Sequence, residues 1–267
     1  MKKYKIILCD YDGTLLGSNN KISDENLQAI NSFISRGGIF VVCSGRATDA
    51  ISKPLKEQNF KGLVASFNGA KLSDILTGET LYSHAISNKD CIKFFSYVKE
   101  NGLYAHFYPE TQYLYPYKTK YTEHYEKVTG VKGILCEDMI SYLKETQSSS
   151  LKLLVFDDKE KLDKHYLPLK NLMSNLEVVR STDNMIDFNL KGIDKGSALD
   201  KISAYFGLDR SLAVAIGDAG NDYSMIKVAG LGVAVSNATE EIKKIADYIA
   251  PSNDENAIKH VIEKFCI

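Results

Sequence analysis

"KIILCDYDGTLL", Lys5 to Leu16, decides how the rest of the chain is read. Ile6, Ile7, Leu8 and Cys9 form an unbroken apolar run, which suits a short strand covered on both faces. Two aspartates one residue apart follow, then a glycine and a threonine. Asp12-Gly13 supplies the left-handed position of a tight turn, but a turn leaves Asp10 without a reason.

Similar runs recur at both ends of the chain: "IFVVC" (39–43), "LVAS" (63–66), "LAVAI" (212–216), "LGVAV" (231–235) and "YIA" (248–250). Helical patterns lie between several of them. In "SDENLQAINSFISRGG" Leu27, Ile30 and Ile34 share a face, with Ser23 as cap and Gly37 as terminator. "NATEEIKKIAD" offers Asn237 as a cap, with Glu240 and Glu241 in the first turn. The alternation predicts an α/β fold, a doubly wound, Rossmann-like parallel-sheet core. The middle of the chain differs: "LYAHFYPETQYLYPY" (103–117) and "SLKLLVFDD" (150–158) alternate, beside helical "DCIKFFSYVKENG" (90–102) and "KEKLDKHYLPLKNLMSNL" (159–176). This predicts an antiparallel sheet with helices on one face, an α+β domain inserted into the core. The expected division is 1–82 and 189–267 for the core and 83–188 for the insert.

The 267 residues carry a net charge of −1, with 25% charged and 44% hydrophobic residues. No global field therefore draws the chain to nucleic acid or to an anionic membrane. Cys9, Cys43, Cys91, Cys136 and Cys266 are isolated and odd in number, which argues against zinc and disulfides and for a reducing compartment. "MKKYKIILCDYD" is too short in apolar residues for a signal peptide. No stretch approaches the ~18 apolar residues of a membrane helix. The expected location is the cytoplasm.

In an open parallel sheet, ligands bind beyond the carboxyl ends of the strands. "DYDGT" follows the first strand, "SGR" (44–46) the second, and "GDAGND" (217–222) the strand at 212–216. "KGIDKGSALDKI" brings Lys195 to a helix start. Together these loops place carboxylates, a hydroxyl, an ammonium and backbone N–H groups on one rim. Hard oxygen ligands suit Mg²⁺, and a lysine with helix N-termini suits a phosphate dianion. A carboxylate facing a bound phosphate can act as nucleophile, and a second one can move the proton of the leaving oxygen.

"DYDGT", "SGR", Lys195 and "GDAGND" resemble, in order, the four motifs of the haloacid dehalogenase-like phosphatase superfamily, over nearly the whole chain. "SFNGA" (66–70) and "KGSAL" (195–199) resemble its Cof-type subgroup, subfamily IIB, of sugar-phosphate phosphatases. About a hundred extra residues between "LVAS" and Lys195 resemble a C2-type cap, of the C2B kind by its α+β content. Two positions depart from the pattern: Tyr11, where an aliphatic residue is usual, and Asp194, where a small polar residue is commoner. The resemblance implies Asp10 as nucleophile and Asp12 as acid/base. It implies Mg²⁺ held by Asp10, the Asp12 carbonyl and Asp218. Ser44, Gly45, Lys195 and Asn221 become the phosphate contacts, with Thr14, Arg46 and Asp222 in support. The implied substrate is a small phosphorylated metabolite, a sugar phosphate, hydrolysed through an aspartyl-phosphate. A phosphosugar mutase and a non-catalytic phosphometabolite sensor are the alternatives.

Other patterns carry less. Gly230 and Gly232 lack the third glycine of a dinucleotide loop, and no ATP-binding GxxxxGK[ST] motif is present. Tyr104, Tyr108, Tyr113, Tyr115 and Tyr117 suit packing or a substrate pocket. His84, His106, His124, His165 and His260 lack metal-ligand spacing.

Overall fold

The structure, a computed structural model, describes residues 4–110 and 112–266; Lys2 and Lys3, the charged start of the N-terminal segment, lie outside them. Strand β1 (Ile6–Asp10) is followed by α1 (Asp24–Ser35), β2 (Ile39–Cys43), α2 (Thr48–Glu57), β3 (Leu63–Ser66), β4 (Lys71–Asp74) and β5 (Thr80–Ser83). The inserted part runs α3 (Asn88–Glu100), β6 (Tyr104–Tyr108), β7 (Leu114–Tyr115), α4 (Lys120–Thr129), β8 (Ile134–Leu135) and α5 (Met139–Thr146). It continues through β9 (Lys152–Phe156), α6 (Lys159–Leu172), β10 (Leu176–Thr182) and β11 (Met185–Leu190). The chain then returns through α7 (Lys195–Tyr205), β12 (Ala213–Gly217), α8 (Tyr223–Val228), β13 (Leu231–Val235), α9 (Glu240–Ile245), β14 (Tyr248–Ala250) and α10 (Ala257–Val261).

These elements form two compact units. One holds the chain up to Arg46, Ile51–Tyr82 and the chain from Ile193; the other holds Ser83–Gly192 with Ala47–Ala50. The second unit runs to Gly192, with β11 paired to β10 out to Leu190 opposite Leu176.

The first unit carries an eight-stranded sheet in the order β14-β13-β12-β1-β2-β3-β4-β5. Every pairing from β14 to β3 is parallel, and β4 joins β3 antiparallel. Ile6, Ile7, Leu8 and Cys9 are fully buried, as a strand with helices on both faces requires. The order reverses at β1, which pairs β2 on one side and β12 on the other. Its carboxyl end is therefore the topological switch point where open α/β sheets bind ligands. Ser23 caps α1, its Oγ accepting from Asn26 N at 3.2 Å. Asn237 does not cap α9: Thr239 stands at that position, and Asn237 is spent on the loop after β1.

The second unit has a six-stranded sheet, β10-β11-β9-β6-β7-β8, antiparallel except between β7 and β8. Ala105 and Phe107 on β6 join a core with Phe94 and Phe95 of α3 and Leu162 and Leu169 of α6. The opposite face is covered too, which alternation alone did not reveal. Tyr104, His106 and Tyr108 are buried there, with Tyr121 and Tyr125 of α4 against their rings. Helix α4 has few apolar residues, and it forms because Thr119 caps it and its tyrosines pack.

His106 is completely buried, bonded to the Tyr104 hydroxyl at 2.9 Å and stacked on Tyr113. Burial pushes its imidazole down to about 3. The folded state thus holds His106 neutral, while the unfolded chain takes a proton as pH falls through about 6.5. Its stabilisation is complete above that pH and is lost toward acid, at about 1.4 kcal/mol per pH unit. Urea unfolding of the second unit between pH 7.5 and 5 is expected to show this slope in the wild type in excess of His106→Gln, which keeps a polar group but does not titrate.

Candidate active site

Asp10 ends β1, buried, opposite Cys43 of β2. Beyond it the chain turns sharply, with Leu16 N donating to Tyr11 O at 3.0 Å and Gly13 at φ +77°. Gly13 is required for a second reason. A Cβ there would lie 2.7 Å from Oδ2 of Asp218, so the glycine lets that carboxylate settle on the turn. Thr14 Oγ1 donates to Asp218 Oδ1 at 2.8 Å from the same turn. Asn237 Nδ2 donates to Gly13 O and Asn253 Nδ2 to Leu16 O, both at 2.8 Å, and Asn253 N donates to Asn237 Oδ1. These asparagines brace the loop from the far end of the chain, and no local pattern marks them for that task.

Lys195 opens α7. Asp194 caps the helix by accepting from Ser197 N at 2.7 Å, which gives its departure from the family pattern a structural use. The Lys195 side chain is fully buried, and Nζ donates to Oδ1 of Asp10 and, at 2.5 Å, to Oδ1 of Asp222. The other oxygen of Asp222 accepts from the backbone N–H groups of Asp218 (2.9 Å) and Ala219 (3.0 Å). One carboxylate thereby folds the 217–222 loop and anchors the lysine.

Carboxylate oxygens of Asp10, Asp218 and Asp222 all lie within 4.8 Å of one another. Burial opposes the charge on Lys195, but Asp10 and Asp222 outweigh it and hold the ammonium charged. Burial likewise pushes Asp10 well above the usual carboxylate range; Lys195 pulls it back, while Asp222 and Asp218 push further. Burial also raises Asp218, with Thr14 opposing. Three carboxylates against one ammonium leave an excess of negative charge that a divalent cation would balance. The hard oxygen donors fit Mg²⁺. Asp10, Asp218 and Asp222 together could hold such an ion.

Ser44 is buried after β2, its Oγ accepting from Arg46 N at 3.2 Å. A left-handed turn, Phe67-Asn68-Gly69, fixes this loop: Asn68 N donates to Ser44 O at 2.8 Å and Phe67 N to Arg46 O at 3.0 Å. Two non-glycine residues at positive φ store about 1–3 kcal/mol each, a cost found where geometry is over-determined. Asn68 also lies against Gly45. Asn221, in contrast, is exposed in its turn, outside the buried group. The Asp12 carboxylate is not in the cluster of three; Arg46 holds it, Nε to Oδ2 at 2.8 Å and Nη2 to Oδ1 at 2.7 Å.

The haloacid dehalogenase-like hydrolase family matches residues 7–262 of the chain. The chain belongs to this family. It is a Cof-type, subfamily IIB phosphatase, a phosphoric monoester hydrolase acting on small phosphorylated metabolites. A Bacteroides thetaiotaomicron haloacid dehalogenase-like hydrolase of known crystal structure is 30% identical, with a TM-score of 0.84 over 98% of this chain and 99% of that one. The Bacillus subtilis 5-amino-6-(5-phospho-D-ribitylamino)uracil phosphatase YwtE is 29% identical over 97% of both chains. Bacillus subtilis phosphatase YwpJ is 26% identical over 97% of this chain and 99% of its own. Among the described residues no helix is long and apolar enough to cross a membrane.

Mg²⁺ at 100 times its Kd is expected to stabilise the phosphatase by ~2.7 kcal/mol, a rise in melting temperature of roughly 5–10 °C. Asp218→Asn should lose most of that rise, as measured by calorimetry with and without chelator.

Proposed function

We propose that the phosphatase hydrolyses a sugar or polyol phosphate through an aspartyl-phosphate on Asp10, with Mg²⁺ as cofactor. The observation that carries the reading is the buried Lys195–Asp10 pair at the switch point, beside a second carboxylate suited to a cation. Lys195 and the Ser44 hydroxyl anchor the phosphate as charge and as donor. Asp10, at the end of a rigid strand, attacks phosphorus while the ester oxygen leaves and takes a proton from Asp12. Asp12 then removes a proton from the water that attacks the phosphorus of phospho-Asp10, and inorganic phosphate departs. Bound Mg²⁺ would supply charge neutralisation for the approaching phosphate.

The polyol chemistry rests on YwtE, whose name describes a phosphoribityl compound. Substrate selectivity is assigned to the inserted unit, Ser83–Gly192. Asn221 keeps its place as a phosphate contact in this reading, since exposure leaves its amide available to a ligand.

Asp10→Asn is expected to lower kcat by at least ~10³-fold, the scale seen when a covalent nucleophile is lost. Asp12→Asn should lower it by about 10²–10⁴-fold yet keep the thermal response to Mg²⁺, because the expected metal contact is its carbonyl. Phosphate release from a panel of hexose, pentose and ribitol phosphates reads both. Isomerised product without free phosphate would turn the assignment to a mutase.

A further inference from the structure

Tyr11 lies between the two aspartates, and its ring is buried at 2% exposure. The guanidinium carbon of Arg46 sits 5.7 Å from the ring centroid. The same guanidinium spends two N–H groups on both oxygens of Asp12. The side chains of that ion pair are 41% and 46% exposed, and an exposed pair by itself holds little. A ring within cation–π distance of the guanidinium changes this, since the added attraction holds the fork in place and so the direction of its bonds. Tyr11 and Asp12 are neighbours on one backbone, so Arg46 spans two groups whose spacing the end of β1 sets. An aliphatic residue at position 11 would fill the same space with no face for the cation.

From this geometry we infer that Tyr11 is a positioning residue: through Arg46 it fixes the carboxylate of Asp12. The inference rests on the acid/base reading of Asp12. When the P–O bond breaks, the leaving oxygen keeps the electron pair and takes the proton of Asp12, which is left as the anion. Arg46, held on Tyr11, receives that anion. The help is greatest when the leaving oxygen is basic, and it vanishes when the leaving group departs as a stable anion.

The test compares kcat/KM for an alkyl ester, glycerol 2-phosphate, with that for p-nitrophenyl phosphate. This ratio reports only steps through the first phosphoryl transfer. Tyr11→Leu is expected to lose about three- to tenfold on the alkyl ester and to stay within about twofold on the aryl ester. Tyr11→Phe, which keeps the ring, should restore the alkyl value. Adding Arg46→Lys to Tyr11→Leu should cost less than the two single losses multiplied, because both act through one contact. Equal losses on the two esters, or none in Tyr11→Leu, would overturn the inference.

Where the wild type cleaves neither ester, the kinetic arm reports on substrate choice and not on the contact, which NMR then decides. The Arg46 Nε–H resonance should be ring-shifted and slow to exchange in the wild type and Tyr11→Phe. In Tyr11→Leu it should move and exchange faster, and an unchanged resonance would overturn the inference.

Discussion

A fully buried ammonium between two carboxylates organises this phosphatase. Lys195 meets Asp10, which lies 185 residues away, and Asp222, 27 residues on. Burying such charges costs several kcal/mol per ion unless partners are close and well aimed. That requirement ties together the end of β1, the start of α7 and the loop after β12. Removing Lys195 would leave buried carboxylates uncompensated in the interior. The cluster still carries more negative than positive charge, and this excess makes the site suited to a cation and then to a phosphate.

Around that centre, backbone groups do much of the holding. Asp222 uses one oxygen on two N–H groups of its own loop, and Asn237 and Asn253 bind carbonyls of the turn after β1. Asn68 bonds the carbonyl of Ser44 from a strained turn, while Gly69 of that turn packs on Ala198 of α7. A Cβ on Gly69 would stand 2.2 Å from that of Ala198, so the turn that holds the Ser44 loop and the lysine helix share one close contact. Catalytic geometry of this kind depends on loops whose own polar groups are satisfied.

The inserted unit shows a different logic. Its sheet buries aliphatic and phenylalanine side chains on one face, and tyrosines with one neutral histidine on the other. Tyr104 meets His106 and Thr122 through its hydroxyl, so the aromatic layer is internally hydrogen-bonded as well as packed. Tyr117 remains exposed. Most of the tyrosines that drew attention in the sequence are therefore structural.

The sequence by itself determined the parallel core strands and the inserted α+β unit, and it marked Asp10, Lys195, Asp218 and Asp222, which lie together beyond the end of β1. Continuous apolar runs and strand-end motifs are local signals, and a parallel sheet leaves them few ways to assemble. Local signals could not show that Asn237 braces a loop instead of capping α9, or that Arg46 occupies Asp12. Nor could they show that α4 covers the second face of the inserted sheet with few apolar residues. Each of these depends on a partner distant in the chain, and only the tertiary structure brings such partners within hydrogen-bonding or ring-stacking distance.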